Sequence, residues 1–433
     1  MPEIFGTHHT KMMVNFRHDD TAEIVIHTAN MIARDWKNMS QAVWRSPLLP
    51  LLPQESQDGQ PDSPIATLGT GMRFRQDFFR YLSAYEERTK SLVDQLKHYD
   101  FSAIRAALIG CAPCKQKERA DQQSRSTRFG WLGLKDVLRN VPTSTRFEQR
   151  PVIVAQVSSI ATLGAAPTWI DSFFNVLNLS TKAFPKAPIS RLVFPNADEI
   201  RRSLDGYSAG GSIHTKIQSK TQQKQVDYLK PKFCHWAGDG PGLRTAEEQS
   251  TIREAGRRRA APHIKTYIRF SNSDMKQIDW AMVTSANLST QAWGALANKD
   301  GDVKISSYEL GVIVWPALFD DQDKPGTLNP DDSTTPGRNN QRKTIMVPTF
   351  KTDTPSLDEL EDANVKTVVG FRMPYDLPLV RYKAQELPWC ATASYEEPDW
   401  TGRGWQGYSP VKKAGKKAGE EGNVVVEQEV DES

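Results

Sequence analysis

The sequence predicts a mixed α/β protein built from two related halves. Short apolar and β-branched runs typical of strands alternate with stretches of helical periodicity, which favours α/β or α+β layers over an all-β sandwich. The length of 433 residues corresponds to two domains, or three at most. A block of histidine, lysine, asparagine and tryptophan also occurs once in each half.

The first half begins with a predicted strand pair at 11–16 and 23–28, where short apolar runs flank a polar turn. A polar loop at 54–63 precedes a helix, and a buried strand is expected at 106–110. The helix is predicted because apolar residues recur at near-helical spacing, namely Phe78, Leu82, Tyr85, Leu92 and Leu96.

The second half repeats the alternation of strand and helix signals. A helix is expected at 198–204, and apolar or alternating runs predict strands at 152–157, 192–195, 263–270, 280–284 and 309–315.

Composition shifts suggest where the chain divides. We expect a first domain at 1–114, a polar boundary loop at 115–128 and a second domain at 129–410. Residues 320–342 are rich in Asp, Pro, Asn and Gly, which predicts a surface insertion. Residues 411–433 are charged and almost without large apolar groups, which predicts a disordered tail.

Charge and cysteine usage narrow the class of protein. Lys plus Arg number 55 against 52 for Asp plus Glu, so the formal charge of +3 is too small to indicate a nucleic-acid partner by itself. Apolar runs are far shorter than the roughly 18 residues that span a bilayer, so we expect no membrane segment. No secretory signal is visible, and four cysteines make a disulfide framework improbable, so we expect an intracellular protein.

Two H-x-K motifs form the core of the repeated block. His9-x-Lys11 is followed 21 residues after the histidine by Asn30, and His263-x-Lys265 is followed after 24 residues by Asn287. In both copies a tryptophan lies six residues beyond the asparagine. The shared order and spacing indicate an internal duplication.

Such a pair suits phosphoryl transfer through a histidine adduct. Residues two apart in a strand point to one face, so each histidine and its lysine can reach the same phosphate. Two lysines and two asparagine amides would supply the positive potential that other enzymes obtain from magnesium. One imidazole can attack phosphorus while the other serves as acid and base, so no metal is expected.

The motifs resemble those of the phospholipase D superfamily, in which H-x-K is followed by four residues and an aspartate. Phe16 and Phe270 occupy the aspartate positions here, which is the pattern of the eukaryotic tyrosyl-DNA phosphodiesterase branch. The resemblance extends from about Phe5 to Pro388-Trp389. Its strings include GTHHTKMM, VIHTAN, GYSAGGSI, PHIKTY, TSANLS, WGAL, SYELGV and MPYDLP.

The resemblance implies a role for each matching residue. His9 would be the nucleophile and His263 the general acid and base. The phosphate would be bound by Lys11, Lys265, Asn30 and Asn287; Gln41 and Glu309 would orient the histidines; and Phe5, Ser158, Ser159 and Ser289 would contact DNA.

The resemblance also implies a fold, a substrate and a compartment. The family fold is two similar α/β/α domains around a central cleft, and its substrate is a tyrosine of trapped topoisomerase I, or another adduct, on a DNA 3′ phosphate. We therefore expect a nuclear DNA-repair enzyme that acts as a monomer on single- or double-stranded DNA without a cofactor.

The family's first domain begins well upstream of the first H-x-K, whereas eight residues precede His9 here. We therefore expect an incomplete first domain, with an uncovered apolar face around Met12, Val14, Ile24 and Ile26.

Two other functions remain open from the sequence. One is a catalytically impaired nucleic-acid binding or regulatory chain of the same family, and the other is a nuclease or lipid phosphodiesterase of the superfamily. Binding without tyrosine release would favour the former. Faster cleavage of internal DNA bonds or phosphatidylcholine would favour the latter.

Four further patterns are interpreted conservatively. A third H-x-K, His214-x-Lys216, lacks the asparagine block and is predicted to be non-catalytic. Cys111 and Cys114 resemble half a zinc site but are expected to be free thiols. The basic run at 257–259 is more often a solvated face than a DNA contact. The tail lysines at 412–417 are consistent with a nuclear signal or with solvation alone.

Overall fold

A computed structural model of the chain describes residues 6–54, 66–119, 127–143, 150–181, 187–320, 343–355 and 365–407. The predicted tail, the insertion beyond Asp320 and Phe5 lie outside these residues. The strands are β1 Met12–Phe16, β2 Thr21–His27, β3 Val43–Arg45, β4 Leu49–Pro50, β5 Ala107–Cys111, β6 Cys114–Lys117, β7 Val152–Gln156, β8 Ile189–Val193, β9 Phe233–Cys234, β10 Thr266–Phe270, β11 Ile278–Thr284, β12 Asp302–Ile305, β13 Glu309–Val314, β14 Lys343–Thr349 and β15 Val365–Arg372.

The α-helices in the same ranges are α1 Ala33–Lys37, α2 Gly71–Ser83, α3 Lys90–Leu96, α4 Gly130–Leu138, α5 Thr168–Leu177, α6 Ala197–Arg201, α7 Lys220–Leu229, α8 Ala246–Ser250 and α9 Thr290–Trp293. None of these helices is long and apolar enough to cross a membrane.

A mixed sheet of nine strands forms the centre of the structure. Its main order is β15-β14-β11-β10-β7-β8-β9, and β13 joins β11 on one side and β5 on the other. Successive residues of β7 lie in different clusters: Ile153 and Ala155 pack with the helices, whereas Val152 and Val154 pack on the opposite face. Because both of its faces are covered, β7 is buried along its whole length.

A smaller sheet carries the first motif. It has the order β1-β2-β3, with β4 also paired to β2, and the predicted antiparallel pairing of β1 with β2 is confirmed. The expected uncovered apolar face is wrong for its central residues, because Ile24 and Ile26 are fully buried. Both belong to the large core cluster of buried residues, and β2 also contacts β11 and β13 of the central sheet.

Two local predictions differ from the structure. The helical pattern from Phe78 to Leu96 is split into α2 and α3 by a 3₁₀ turn at Glu86–Thr89. Glu86 has a φ of 58°, a left-handed conformation that interrupts a right-handed helix. Residues 115–117, expected in the boundary loop, belong to β6, which pairs with β12. The strand β5 likewise pairs with β13 across the proposed boundary, and the division into domains stays a prediction.

Candidate active site

Both H-x-K motifs lie immediately before a strand rather than within it, since β1 begins at Met12 and β10 at Thr266. Each motif is held by the other half of the chain. The His9 backbone N–H donates to the carbonyl of Tyr308 at 3.0 Å, and the His263 backbone N–H donates to that of Ser40 at 3.1 Å. The predicted strand start is therefore wrong by one residue at the first motif and by three at the second, but the two motifs are brought to one cleft.

His9 is paired with a buried carboxylate from β13. Its Nδ1 lies 3.0 Å and 3.2 Å from the two carboxylate oxygens of Glu309. Ser285 donates a further hydrogen bond of 2.5 Å to Glu309. The carboxylate is 4% exposed, so it interacts with His9 in a low-dielectric setting. An anionic acceptor at Nδ1 fixes the proton there and leaves Nε2 as the free ring nitrogen.

His263 has two partners, one of which was expected from the family resemblance. Gln41 lies 3.3 Å from Nδ1, as the resemblance implied. The Oδ2 atom of Asp35 is closer, at 3.1 Å, and Asp35 was missed. Asp35 is 1% exposed and accepts the backbone N–H of Asn30 at 2.7 Å. The repeated block gave no signal for Asp35, because the equivalent position of the second copy is Ala292.

The residues that hold Gln41 and Glu309 in place occupy equivalent positions in the two copies of the repeated block. In the first copy, Thr28 donates to Gln41 at 2.8 Å and accepts the backbone N–H of Ala42 at 2.8 Å. In the second copy, Ser285 donates to Glu309 and accepts the backbone N–H of Leu310 at 3.0 Å. Thr28 and Ser285 both lie two residues before the asparagine of their block. The two halves are therefore related by hydrogen-bond pattern as well as by motif.

The two motif lysines are held in the same way. The ammonium of Lys11 donates to the carbonyl of His9 at 2.8 Å, and that of Lys265 donates to the carbonyl of His263 at 2.6 Å. Burial and the neighbouring charge of Lys11 lower the pKa of Lys265 well below its usual value. Because each ammonium group disfavours the charge of the other, a bound anion would stabilise the protonated form of Lys265.

Each asparagine is fixed through its backbone and its neighbours. The indole of Trp36 donates to the carbonyl of Asn30 at 2.8 Å, and that of Trp293 donates to the carbonyl of Asn287 at 2.9 Å. The Asn287 side-chain oxygen accepts the backbone N–H groups of two serines, which leaves its amide NH₂ to bind a ligand. Those donors are Ser158 at 3.1 Å and Ser159 at 2.9 Å.

The predicted DNA contacts have structural roles in the free chain. Ser158 and Ser159 are buried, and both orient Asn287. The hydroxyl of Ser289 accepts the backbone N–H groups of Gln291 and Ala292 and caps α9. The contacts of these serines with DNA stay predictions.

Burial dominates the electrostatics of both histidines. It lowers the pKa of His9, and the charges of Lys11 and Lys265 act in the same direction against the opposing effect of Glu309. Burial, followed by the charge of Lys265, lowers the pKa of His263 despite its contact with Asp35. Both rings are therefore neutral in the free protein at neutral pH.

The carboxylates stay ionised. Burial raises the pKa of Glu309, but His9, Lys11 and Ser285 outweigh it, so the net shift is downward. The pKa of Asp35 is also lowered overall: burial raises it, but His263, the Asn30 N–H and Lys265 together outweigh that effect. Among the described residues, no group of three or more His, Cys, Asp and Glu side chains is arranged to hold a metal ion.

Comparison with known proteins gives consistent results. The family model for tyrosyl-DNA phosphodiesterase matches residues 1–383. A probable tyrosyl-DNA phosphodiesterase from Schizosaccharomyces pombe is 33% identical over 460 residues, covering 93% of this chain and 78% of that protein. Tyrosyl-DNA phosphodiesterase 1 from Arabidopsis thaliana is 27% identical, covering 94% of this chain and 62% of that protein.

Solved structures support the fold. The crystal structure of yeast tyrosyl-DNA phosphodiesterase aligns with a TM-score of 0.57 at 19% identity, covering 90% of this chain and 78% of that chain. At this identity the likeness concerns the fold alone. The predicted mixed α/β class and phospholipase D-like fold are confirmed.

Proposed function

The chain belongs to the tyrosyl-DNA phosphodiesterase family, and on that premise we propose that it removes tyrosine or another adduct from a DNA 3′ phosphate through a phosphohistidine intermediate. Membership assigns the reaction class, which is phosphodiester hydrolysis in DNA repair. The mechanism, the adduct and the roles of individual residues are the proposal.

One observation carries this proposal. Two buried histidines from different halves each have Nδ1 next to a buried carboxylate oxygen, at 3.0 Å for Glu309 and 3.1 Å for Asp35. The ring nitrogen available for chemistry is therefore Nε2 in both. One neutral imidazole can attack phosphorus while the other donates and accepts protons, because the Nδ1–carboxylate contact fixes the tautomer of both rings.

The reaction proceeds in two displacements. In the first, Nε2 of His9 attacks phosphorus, the bond from phosphorus to the phenolic oxygen breaks, and Nε2–H of His263 gives its proton to the leaving oxygen. In the second, the neutral His263 takes a proton from water, the hydroxide oxygen bonds to phosphorus, and the bond to His9 breaks. The products are tyrosine and a DNA 3′ phosphate.

The cations stabilise both transition states. Lys11, Lys265 and the amides of Asn30 and Asn287 surround the non-bridging oxygens, where negative charge accumulates. Binding the phosphate anion also offsets the charge of Lys265, which together with burial keeps His263 neutral. Since Asp35 already favours the imidazolium, His263 can then carry the proton that the first step consumes.

The proposed partner is the 3′ end of a DNA strand, single- or double-stranded, and Phe5, Ser158, Ser159 and Ser289 are proposed to contact it. A monomer is proposed because one copy of the chain supplies both motifs, each held by the opposite half. A nuclear location is proposed because the proposed substrate is trapped topoisomerase I on chromosomal DNA.

The test is incubation with an oligonucleotide carrying a 3′ phosphotyrosine. We expect release of tyrosine and a 3′ phosphate end, with a covalent DNA–protein species that appears on acid quenching. His9→Ala should abolish both the product and the covalent species. Tight binding without tyrosine release by the unmodified chain would overturn the proposal and favour the impaired nucleic-acid binding chain.

A further inference from the structure

The third H-x-K motif lies beside the cleft, although neither the duplication nor the proposed reaction uses it. The backbone N–H of His214 donates to the carbonyl of Ser158 at 2.9 Å, and the carbonyl of His214 accepts the N–H of Ile160 at 2.9 Å. Ser158 and Ser159 are the residues that orient Asn287. His214 is therefore attached directly to the support of one phosphate-binding amide.

The segment that carries His214 is rigid. The indole of Trp389 donates to the carbonyls of Gly210 and Ile213, both at 3.0 Å. Thr215 in turn donates to the carbonyl of Trp389 at 2.6 Å. Because residues on both sides of His214 are bonded to the same tryptophan, the backbone that carries the ring is held in place before any ligand arrives.

One nitrogen of the ring has no partner. Nε2 of His214 is buried and makes no hydrogen bond with any residue in the described ranges. The ring does make a hydrogen bond with the Gly211 backbone, which partly opposes the effect of burial on its pKa. A buried polar atom without a partner is unfavourable and marks a place where a ligand or water completes the set.

The charges around the ring favour an anionic ligand. Burial, then the charges of Lys216 and Lys265, lowers the pKa of His214 to about 4, so the ring is neutral in the free chain. Lys216 is exposed two residues away. An anion seated between them would offset both lysine charges, let the imidazole accept a proton at Nε2, and receive a hydrogen bond from it.

We propose that His214 and Lys216 form a second phosphate position in the cleft, which binds the internucleotide phosphodiester adjacent to the scissile phosphate and takes up a proton as it binds. This inference rests on the proposed function, because the scissile phosphate defines the neighbouring position. The site is a binding site, and neither residue touches the reacting atoms.

Two substrates with the same leaving group isolate the site. Thymidine 3′-(4-nitrophenyl phosphate) contains the scissile phosphate alone. An oligothymidylate of six nucleotides with the same 3′ group contains five internucleotide phosphates as well. For His214→Phe we expect KM for the oligonucleotide to rise about tenfold with kcat unchanged, since a charge-assisted hydrogen bond is lost. The kinetics with the mononucleotide should be those of the unmodified chain.

Lys216→Gln provides the charge test, and Lys299→Gln, which alters another exposed lysine, is its control. Loss of one phosphate contact should reduce the slope of log affinity against log salt by about 0.7 for a single strand. The control should leave the slope unchanged. An equal change in both variants would mean that net charge rather than a site is responsible, which would overturn the role of Lys216.

The uptake of a proton on binding is tested by measuring affinity in the absence of turnover. The probe is a fluorescent single strand of six nucleotides ending in a 3′ phosphate, measured by anisotropy between pH 5.5 and 8. Affinity should fall with rising pH for the unmodified chain and change less for His214→Gln, which keeps a polar group but cannot titrate. Equal pH dependence in both would overturn the proton uptake.

The remaining outcomes are equally decisive. Equal losses on both nitrophenyl substrates would assign His214 a structural role, and no loss on either would remove it from the site. Thermal unfolding of each variant detects misfolding, and His214→Gln replaces His214→Phe if the latter unfolds. If the unmodified chain hydrolyses neither substrate, the proposed function fails, whereas the anisotropy measurement still tests this site.

Discussion

Replacing Asp35 by asparagine removes one negative charge next to His263 with little change in shape. The Asp35 Oδ2 atom lies 3.1 Å from Nδ1 of His263, and the asparagine oxygen can still accept the N–H of Asn30. A contact of this kind with a charged group contributes about 1.5–3 kcal/mol. Its loss disfavours the imidazolium, lowers the pKa of His263 further, and should reduce kcat/KM about 10- to 100-fold where the leaving group needs a proton.

The leaving group separates this effect from a structural one. A tyrosine phenol, with a pKa of about 10, departs with less proton donation than an alkyl alcohol, and a nitrophenol needs still less. The loss in Asp35→Asn should therefore be largest for an alkyl adduct, intermediate for tyrosine and smallest for nitrophenol. Asp94→Asn, which alters an exposed carboxylate of α3, is the control. A uniform loss across the three substrates, or none, would refute the role of Asp35.

Three further results are expected. Turnover should persist in excess EDTA, because ammonium and amide groups supply the positive potential; a loss reversed by magnesium or zinc would contradict this. His9→Ala should form no adduct, whereas His263→Ala should accumulate one, because hydrolysis of the phosphohistidine still needs a base worth about 10²–10⁴-fold; gel detection of DNA attached through His263 in His9→Ala would reverse the roles. The buried His235 lies 3.3 Å from Glu199 and 3.1 Å from Glu386; burial lowers its pKa, but the two carboxylates outweigh this and raise it. The stabilisation from the charged His235 is therefore complete below the unfolded pKa of about 6.5 and is lost as pH rises through the higher folded value. The urea midpoint of the unmodified chain should accordingly converge with that of His235→Gln between pH 5.5 and 8.5. A constant difference between the two midpoints would argue against this ionic contact.

The residues of the duplicated block were predictable because they lie in contiguous strings. His9, Lys11 and Asn30 are linked by one strand pair, so local spacing places them together. Asp35 was not predictable in this way, because its partner His263 lies 228 residues away and the equivalent position of the second copy is Ala292. A contact made between halves leaves no periodic signal in either half.

The same distinction applies to the fold: features set by a segment's own composition were predictable, whereas features set by pairing with distant segments were not. Strands buried on both faces, such as β7, were located from their apolar composition alone. The strand β6 was missed because its residues are polar and alternately exposed, and only pairing with β12 makes it a strand. The burial of Ile24 and Ile26 was missed for a related reason, since β2 contacts β11 and β13, which lie in the other half of the chain.

In the proposed mechanism, the departures from symmetry suit the two histidines to unlike steps. Equivalent positions hold Glu309 and Gln41, and Asp35 adds a carboxylate only beside His263. When Lys11 and Lys265 are both charged, they balance the charges of Glu309 and Asp35. A phosphodiester then adds one negative charge, which uptake of a proton by His263 cancels. A second glutamate in place of Gln41 would leave an extra negative charge next to the arriving phosphate and oppose its binding. In the proposed mechanism, the amide of Gln41 would therefore allow the bound substrate to set the protonation state of His263 that the first displacement requires.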